Sequence, residues 1–282
     1  MNRFEVITSP ANPRVRAAAA LREAEARRET GQTLVDGRRE CERAAAAAAE
    51  IVDLFVDAAA FERPTAEAEA FAAWLDGLAA RGVRITALAE RPFGRLAFGS
   101  RNEGVVGVVR WQPARLAERT FAAERPVLVI EGVEKPGNLG AILRTVDAAG
   151  LAGAIVCDGR TDPANPAVIR ASLGTVFAVP LAVATAAETI AWCGRQGRRV
   201  VAATPAGTTL WHAADLAGGT ALLVGSEAHG LSAAWQEAAA AGRISLETVR
   251  LPMRGVADSL NLSVTAAVLA YEAVRQAGGN TT

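Results

Sequence analysis

Three short stretches of this chain carry side chains that could do chemistry together. The first is Glu134-Lys135-Pro136-Gly137-Asn138-Leu139-Gly140-Ala141-Ile142-Leu143-Arg144, where an amide and, six residues on, a guanidinium follow an apolar run and open a helix. Gly137 and Gly140 permit close backbone approach. Asn138 is an N-cap type, and Arg144, under two turns on, can reach back over the strand ends. In the second stretch the apolar run 220–225 ends in Gly225-Ser226-Glu227, and Gly230 follows. The third is Leu251-Pro252-Met253 with the cluster Ser259-Leu260-Asn261-Leu262-Ser263, which opens another helix. Two strand ends of the second and third kind form one cup, with bare backbone on one side and small hydroxyl and amide side chains on the other. That suits a neutral, shape-selective cofactor pocket better than a metal or phosphate site. Each stretch also has a plain structural reading. Arg144 is then a surface residue of a capped helix, Glu227 a solvated loop carboxylate, and Ser259 and Asn261 ordinary helix-start residues.

Other chemistries find little support. No Gly-Lys-Ser/Thr follows the first stretch and no GxGxxG is present, which disfavours a nucleotide triphosphatase. His212 and His229 stand alone, with no partner at metal spacing, and no metal is expected. Cys41, Cys157 and Cys193 form neither a disulfide framework nor a CxxC pair, and Cys157 reads as core. Net charge is zero, so composition alone does not point to nucleic acid. Lys135 is the only lysine; every other cationic side chain of that kind is arginine, which contacts phosphate bidentately. Arg170 follows the turn residues Asp162-Pro163-Ala164-Asn165-Pro166 and is either a phosphate contact or a solvated helix residue. No apolar run reaches membrane-spanning length and the N-terminus lacks a signal-peptide core, so a cytoplasmic protein with no membrane partner is expected.

The elements that must position these residues fall into two regimes. Residues 5–110 read as a small α/β unit, with helices near 14–30, 38–49 and 65–80 and strands at 33–35, 51–56, 84–88 and 104–109. Residues 111–125 are polar without a β pattern and read as a linker. Apolar runs at 127–133, 154–158, 176–183, 199–204, 220–225 and 246–251 then alternate with helical segments. Runs this continuously apolar are strands buried on both faces, and the alternation predicts a parallel α/β sheet. Ligands of such sheets bind at the carboxyl ends of strands, where Gly137-Asn138, Thr204-Pro205, Gly225-Ser226-Glu227 and Pro252-Met253 all fall. The tail 278–282 reads as disordered.

Taken together, Asn138-Leu-Gly-Ala-Ile-Leu-Arg144, Leu222-Leu-Val-Gly225-Ser226-Glu227-Ala-His-Gly230-Leu231 and Leu251-Pro252-Met253…Ser259-Leu260-Asn261-Leu262-Ser263-Val264 resemble the three motifs of the SpoU-type RNA methyltransferases. These are knotted enzymes that transfer a methyl group from S-adenosylmethionine (SAM) to ribose 2′-hydroxyls. Ile7-Thr-Ser-Pro-Ala-Asn-Pro-Arg14-Val-Arg16 and Leu34-Val35-Asp36-Gly37 look like that family's N-terminal domain, with Asp36 where a Glu is usual. The resemblance implies an RNA substrate-binding domain at 1–110, similar to a small ribosomal-protein α/β sandwich, a linker at 111–125, and a SAM-binding methyltransferase domain at 126–282. In the latter it implies a mostly parallel sheet with helices on both faces and a deep trefoil knot, an exception to the rule against threading. Backbone at Gly225, Leu251 and Leu260 would hold SAM, with Thr204 and Met253 lining the pocket. Arg144 would be the catalytic arginine, and Asn138, Glu227, Ser259 and Asn261 would orient it and the ribose. A guanidinium stays protonated, so Arg144 reads as a phosphate clamp rather than a base; the proton would leave to phosphate, water or Glu227. Arg14, Arg16, Arg38 and Arg170 would contact RNA, with rRNA favoured over tRNA, and the enzyme would be a homodimer. The contrasting reading is a catalytically silent RNA-binding or ribosome-assembly factor.

Overall fold

The computed structural model describes residues 4–61, 66–98 and 103–278, so the expectation for the tail falls almost wholly outside the described residues. The chain forms two compact units. One comprises Met1–Gln112 with Ala164–Ala178, the other Pro113–Pro163 with Val179–Thr282.

In chain order the first unit contains β1 (Val6–Ile7), α1 (Pro13–Ala20), α2 (Ala24–Thr30), β2 (Gln32–Asp36), α3 (Arg38–Ala46), β3 (Glu50–Asp57), α4 (Ala66–Ala80), β4 (Arg84–Leu88), α5 (Glu90–Leu96) and β5 (Val105–Arg110). Its mixed sheet runs β1-β4-β3-β5-β2. The helix expected over 14–30 is interrupted at Leu21-Arg22-Glu23. Leu21 turns into the core there, and the buried Arg27 donates to the carbonyls of Leu21 and Arg22 that the break leaves free. Arg14 does not reach into solvent as an RNA contact would. It spans from α1 to the buried Asp53 at 2.7 Å and to the Thr86 hydroxyl at 2.6 Å, and Arg84 binds the same carboxylate.

The second unit holds β6 (Ala114–Arg115), β7 (Val127–Glu131), α6 (Pro136–Ala148) and β8 (Gly153–Cys157). After α7 (Pro166–Ala171) it continues with β9 (Leu181–Ala184), α8 (Ala186–Arg195), β10 (Val200–Ala203), β11 (Thr209–Leu210), β12 (Ala221–Val224), α9 (Ala234–Ala240), β13 (Leu246–Arg250) and α10 (Leu262–Gln276). The eight strands pair in the order β11-β13-β10-β12-β7-β8-β9-β6, every pair parallel. Each residue of β7, β8 and β12 is buried, which is why these segments read as unbroken apolar runs. Leu262, Ala266, Leu269 and Ala273 bury one stripe of α10, which packs on α6 and β12.

Three expectations are corrected here. Residues 111–125 are no free linker. β6 pairs with β9, and Leu116 and Phe121 enter the core, Phe121 edge-on to Trp192 at 5.5 Å. Two apolar anchors in a polar stretch suffice to fasten it. The run 176–183 is a strand only from Leu181, because Pro180 has no N–H to give a ladder and Thr175–Phe177 forms a helical turn. Finally, 164–178 joins the N-terminal unit, although it lies within the sequence of the second. Thr33 donates to the Ala164 carbonyl at 2.6 Å, Arg43 to the Leu173 carbonyl at 2.6 Å, and Arg170 to Asp36 at 2.5 Å and to the Phe98 carbonyl. Gly174 permits this, since a Cβ there would lie 3.0 Å from the Glu40 backbone at a φ of +78°. Arg170 is therefore committed to an internal ion pair, not presented to RNA.

Candidate active site

The carboxyl ends of β10, β12 and β13 lie side by side, and the loops that leave them build one site. Gly225 ends β12 because a Cβ would sit 2.6 Å from the Gly230 carbonyl. Ser226 and Gly230 exchange backbone hydrogen bonds of 3.0 and 2.9 Å, and the Ser226 hydroxyl accepts from the amides of Ala228 and His229. This tight turn presents Glu227. Its exit is fixed by the buried Glu131 at the end of β7, which accepts from the Ser232 amide at 3.0 Å and hydroxyl at 2.6 Å.

Glu227 is the centre of a closed network. Its Oε1 accepts from Asn138 Nδ2 at 2.8 Å, Asn261 Nδ2 at 2.9 Å and the Leu262 amide at 3.3 Å. Its Oε2 accepts from Lys135 Nζ at 2.6 Å. Asn261 Nδ2 also donates to Asn138 Oδ1 at 3.1 Å, and Asn261 Oδ1 caps α10 by accepting from the amide and hydroxyl of Ser263. That capping bond fixes which end of the Asn261 amide is oxygen. The ammonium of Lys135, more than partial desolvation can oppose, holds the Glu227 carboxyl below the usual carboxylate range; the Leu262 amide and Asn138 add to it. Asn261 therefore caps a helix with its oxygen while its N–H groups enter the network.

Beside this network lies a pocket of ≈ 250 Å³. Gly225, Leu251, Met253, Leu260 and Thr204 line it, as the motifs led us to expect, together with Ser259 and Glu227. Asp258 is the other charged residue of the lining, and among the described residues no cationic side chain lines the space.

The remaining sequence candidates fall elsewhere. Asn138 is not the N-cap of α6; Lys135 is, with Pro136 at the first helical position, and this leaves the Asn138 amide free for Glu227. Arg144 does not join the network. Six residues turn a helix by about 240° beyond a full circle, which takes Arg144 to the exposed face of α6. Ser259 lines the pocket but bonds nothing among the described residues. Arg38 pairs with Glu42 at 2.7 Å and lies over the Phe71 ring, whereas Arg16 is exposed. Sequence reasoning missed Lys135, Glu131 and Ser232 as parts of the site. For Lys135 a signal existed, as the sole lysine at the end of an apolar run.

A family model described as the SpoU rRNA methylase family matches residues 125–271. The chain belongs to that family. Residues 12–107 match a second model, an MRM3-like substrate binding domain. Among SpoU relatives, a 23S rRNA (guanosine-2′-O-)-methyltransferase of Pseudomonas syringae is 36% identical over 186 residues, 62% of this chain and 70% of that protein. A crystal structure of an RNA 2′-O ribose methyltransferase is 36% identical, with a TM-score of 0.81 over 96% of this chain and 99% of the other. The AdoMet-bound rRNA methyltransferase of Sinorhizobium meliloti is 29% identical, with a TM-score of 0.82 over 96% of this chain and 98% of that one.

Proposed function

We infer that this protein transfers a methyl group from SAM to a ribose 2′-hydroxyl in RNA, with 23S rRNA as substrate. The observation that carries this is the junction of the pocket with the closed Asn138–Glu227–Asn261 network. The pocket fits a cationic sulfonium ligand. Its walls are apolar side chains, bare backbone and small hydroxyls; Glu227 is already paired with Lys135, so Asp258 is the carboxylate of the lining left to a positive charge, and among the described residues no lysine or arginine lines the space. Gly225, Leu251 and Leu260 would hold SAM by backbone, with Thr204 and Met253 against it. Bound there, SAM supplies an electrophilic methyl group.

The chain's own residues must place the 2′-oxygen in line with that methyl group. Asn261 has no donor or acceptor left, since both its N–H groups and its oxygen are engaged. Asn138 keeps one N–H, and the Ser259 hydroxyl is unengaged among the described residues, so these two orient the ribose. With donors on both oxygens and its charged form favoured, Glu227 organises the amides and is a poor proton acceptor. The proton leaves to solvent or RNA phosphate. Arg144, exposed on α6, meets the phosphates of the RNA backbone as substrate docks.

The N-terminal unit selects the RNA, and within it Arg16 and Arg28, exposed and with no side-chain hydrogen-bond partner among the described residues, are better contacts than Arg14, Arg38 or Arg170. Two finer features complete the reading. A trefoil knot is supported by the path from β13, beyond β10 in the sheet, back to α10 on α6 and β12. A homodimer is supported by the exposed stripe Val264 and Tyr271 on α10. Among the described residues no helix is long and apolar enough to cross a membrane, and an rRNA substrate implies work in the cytoplasm.

The test is transfer from labelled SAM to total rRNA and total tRNA, with Asn138→Ala and Arg144→Ala as controls and nucleoside digestion afterwards. Label in a 2′-O-methyl nucleoside of 23S rRNA, lost in both variants, is expected. SAM binding without label in either pool would favour the silent RNA-binding factor.

A further inference from the structure

The sole lysine of the chain sits where a strand end meets the site, and its pairing with Glu227 engages only part of its ammonium. Pro136 restricts the residue before it to extended backbone, so Lys135 leaves β7 at a fixed angle, with φ −85° and ψ 121°. Its carbonyl begins α6 by accepting from the Asn138 and Leu139 amides. Its ammonium meets Glu227 Oε2 at 2.6 Å, while 71% of the side chain stays exposed. An ammonium has three donors, and Glu227 takes one. Two therefore remain, on an exposed ammonium beside the network that orients the ribose.

An incoming RNA is a polyanion, and Glu227 alone would repel the phosphates that flank the target ribose. We propose that Lys135 is the phosphate-docking residue of this site, neutralising Glu227 with one N–H and gripping a phosphate next to the target ribose with the others. The proposal rests on the methyltransferase reading above and adds the residue that brings the substrate's charge to it. The choice of residue type follows. Glu227 Oε1 already serves Asn138, Asn261 and the Leu262 amide, so a single oxygen remains for a cation. A point charge fits that vacancy, whereas the forked guanidinium engages both oxygens and competes with the asparagines. In a chain otherwise built with arginine, this is the one position holding lysine. The bond to Glu227 also pushes the Lys135 amine up, so it stays charged throughout the working range.

The experiment compares the full-length protein with Lys135→Met and Lys135→Arg. It measures SAM affinity by calorimetry, kcat and KM on a 23S rRNA transcript, and kcat/KM as a function of KCl. Lys135→Met is expected to bind SAM as the unaltered protein does, yet to lose on the order of tenfold in kcat/KM, chiefly through KM. Its logarithmic salt slope should be smaller by about one contact. Lys135→Arg should keep the salt slope of the unaltered protein and instead lower kcat, because its fork competes with the asparagines for Glu227. An unchanged KM and slope in Lys135→Met, or an equal loss of SAM affinity, would overturn the proposal. If the unaltered protein methylates no transcript, the methyltransferase reading fails by itself. Lys135 is then judged by transcript binding, where equal salt slopes for the protein and Lys135→Met, or no binding, overturn it.

Discussion

Each unit carries a carboxylate that follows a strand and pairs with a cation brought from elsewhere in the sequence, and the two have opposite fates. Asp36 ends β2, has a side chain 3% exposed, and is bound by Arg170 and the Phe98 amide. Glu227 follows β12, is 28% exposed, and is bound by Lys135, two asparagines and an amide. Burial outweighs the partners of Asp36 and raises its pKa; Lys135 outweighs burial at Glu227 and lowers it. The same pairing thus serves as an internal clasp when water is excluded and as a charged, ordered site when water is near. Depth decides between them, because desolvation penalises the ionised form far more steeply than one ion pair can restore.

The comparison can be broken from either side. The largest expected effect is Glu227→Ala, which should lower kcat for methyl transfer by on the order of a hundredfold while thermal unfolding stays nearly unchanged, because four donors lose their common acceptor. Asp36→Ala should do the reverse, costing about 3 kcal/mol of stability in denaturant titration with residual activity per folded molecule retained. A destabilised Glu227→Ala or an intact Asp36→Ala would erase the distinction. Next, Gly225→Ala should weaken SAM binding roughly tenfold by calorimetry, since its Cβ collides with the Gly230 carbonyl and must move the loop by several tenths of an ångström.

The smallest effect sharpens the comparison through pH. A depressed carboxyl such as Glu227 contributes stability above its unfolded pKa of about 4.3, and loses it as pH falls through the lower folded value. The raised Asp36 has the opposite sign, its contribution being full below about 3.9 and lost as pH rises through the folded value. Acid unfolding of Glu227→Gln should therefore flatten slightly below pH ~4 relative to the unaltered protein, whereas Asp36→Asn should flatten the curve above that point. Parallel shifts in both variants would show that the two sites do not differ as described.

Residue patterns carried much of this. The strands at 127–131, 153–157 and 221–224 were legible because burial on both faces writes an unbroken apolar run, whereas Leu246–Arg250 buries only Val249 and mixes apolar with polar residues. Gly225 and Asn261 were legible because glycine at a strand end and an amide at a helix start are local requirements. Arg14 and Arg170 pair with buried carboxylates, and a charged side chain looks the same in sequence whether it faces RNA or such a partner. Arg144 stands exposed on α6, and counting residues along a helix does not say which face a side chain takes.

The sequence by itself determined the alternation of strands and helices, and the residue types gathered at strand ends, since periodicity and backbone sterics act over a few residues. Tertiary structure alone decided that 164–178 serves the other unit, that Lys135 meets a carboxylate 92 residues away, and that Asn138 and Asn261, 123 residues apart, share a hydrogen bond. Those pairings depend on strand order and on which charges lose water, and neither is written in any local stretch of chain.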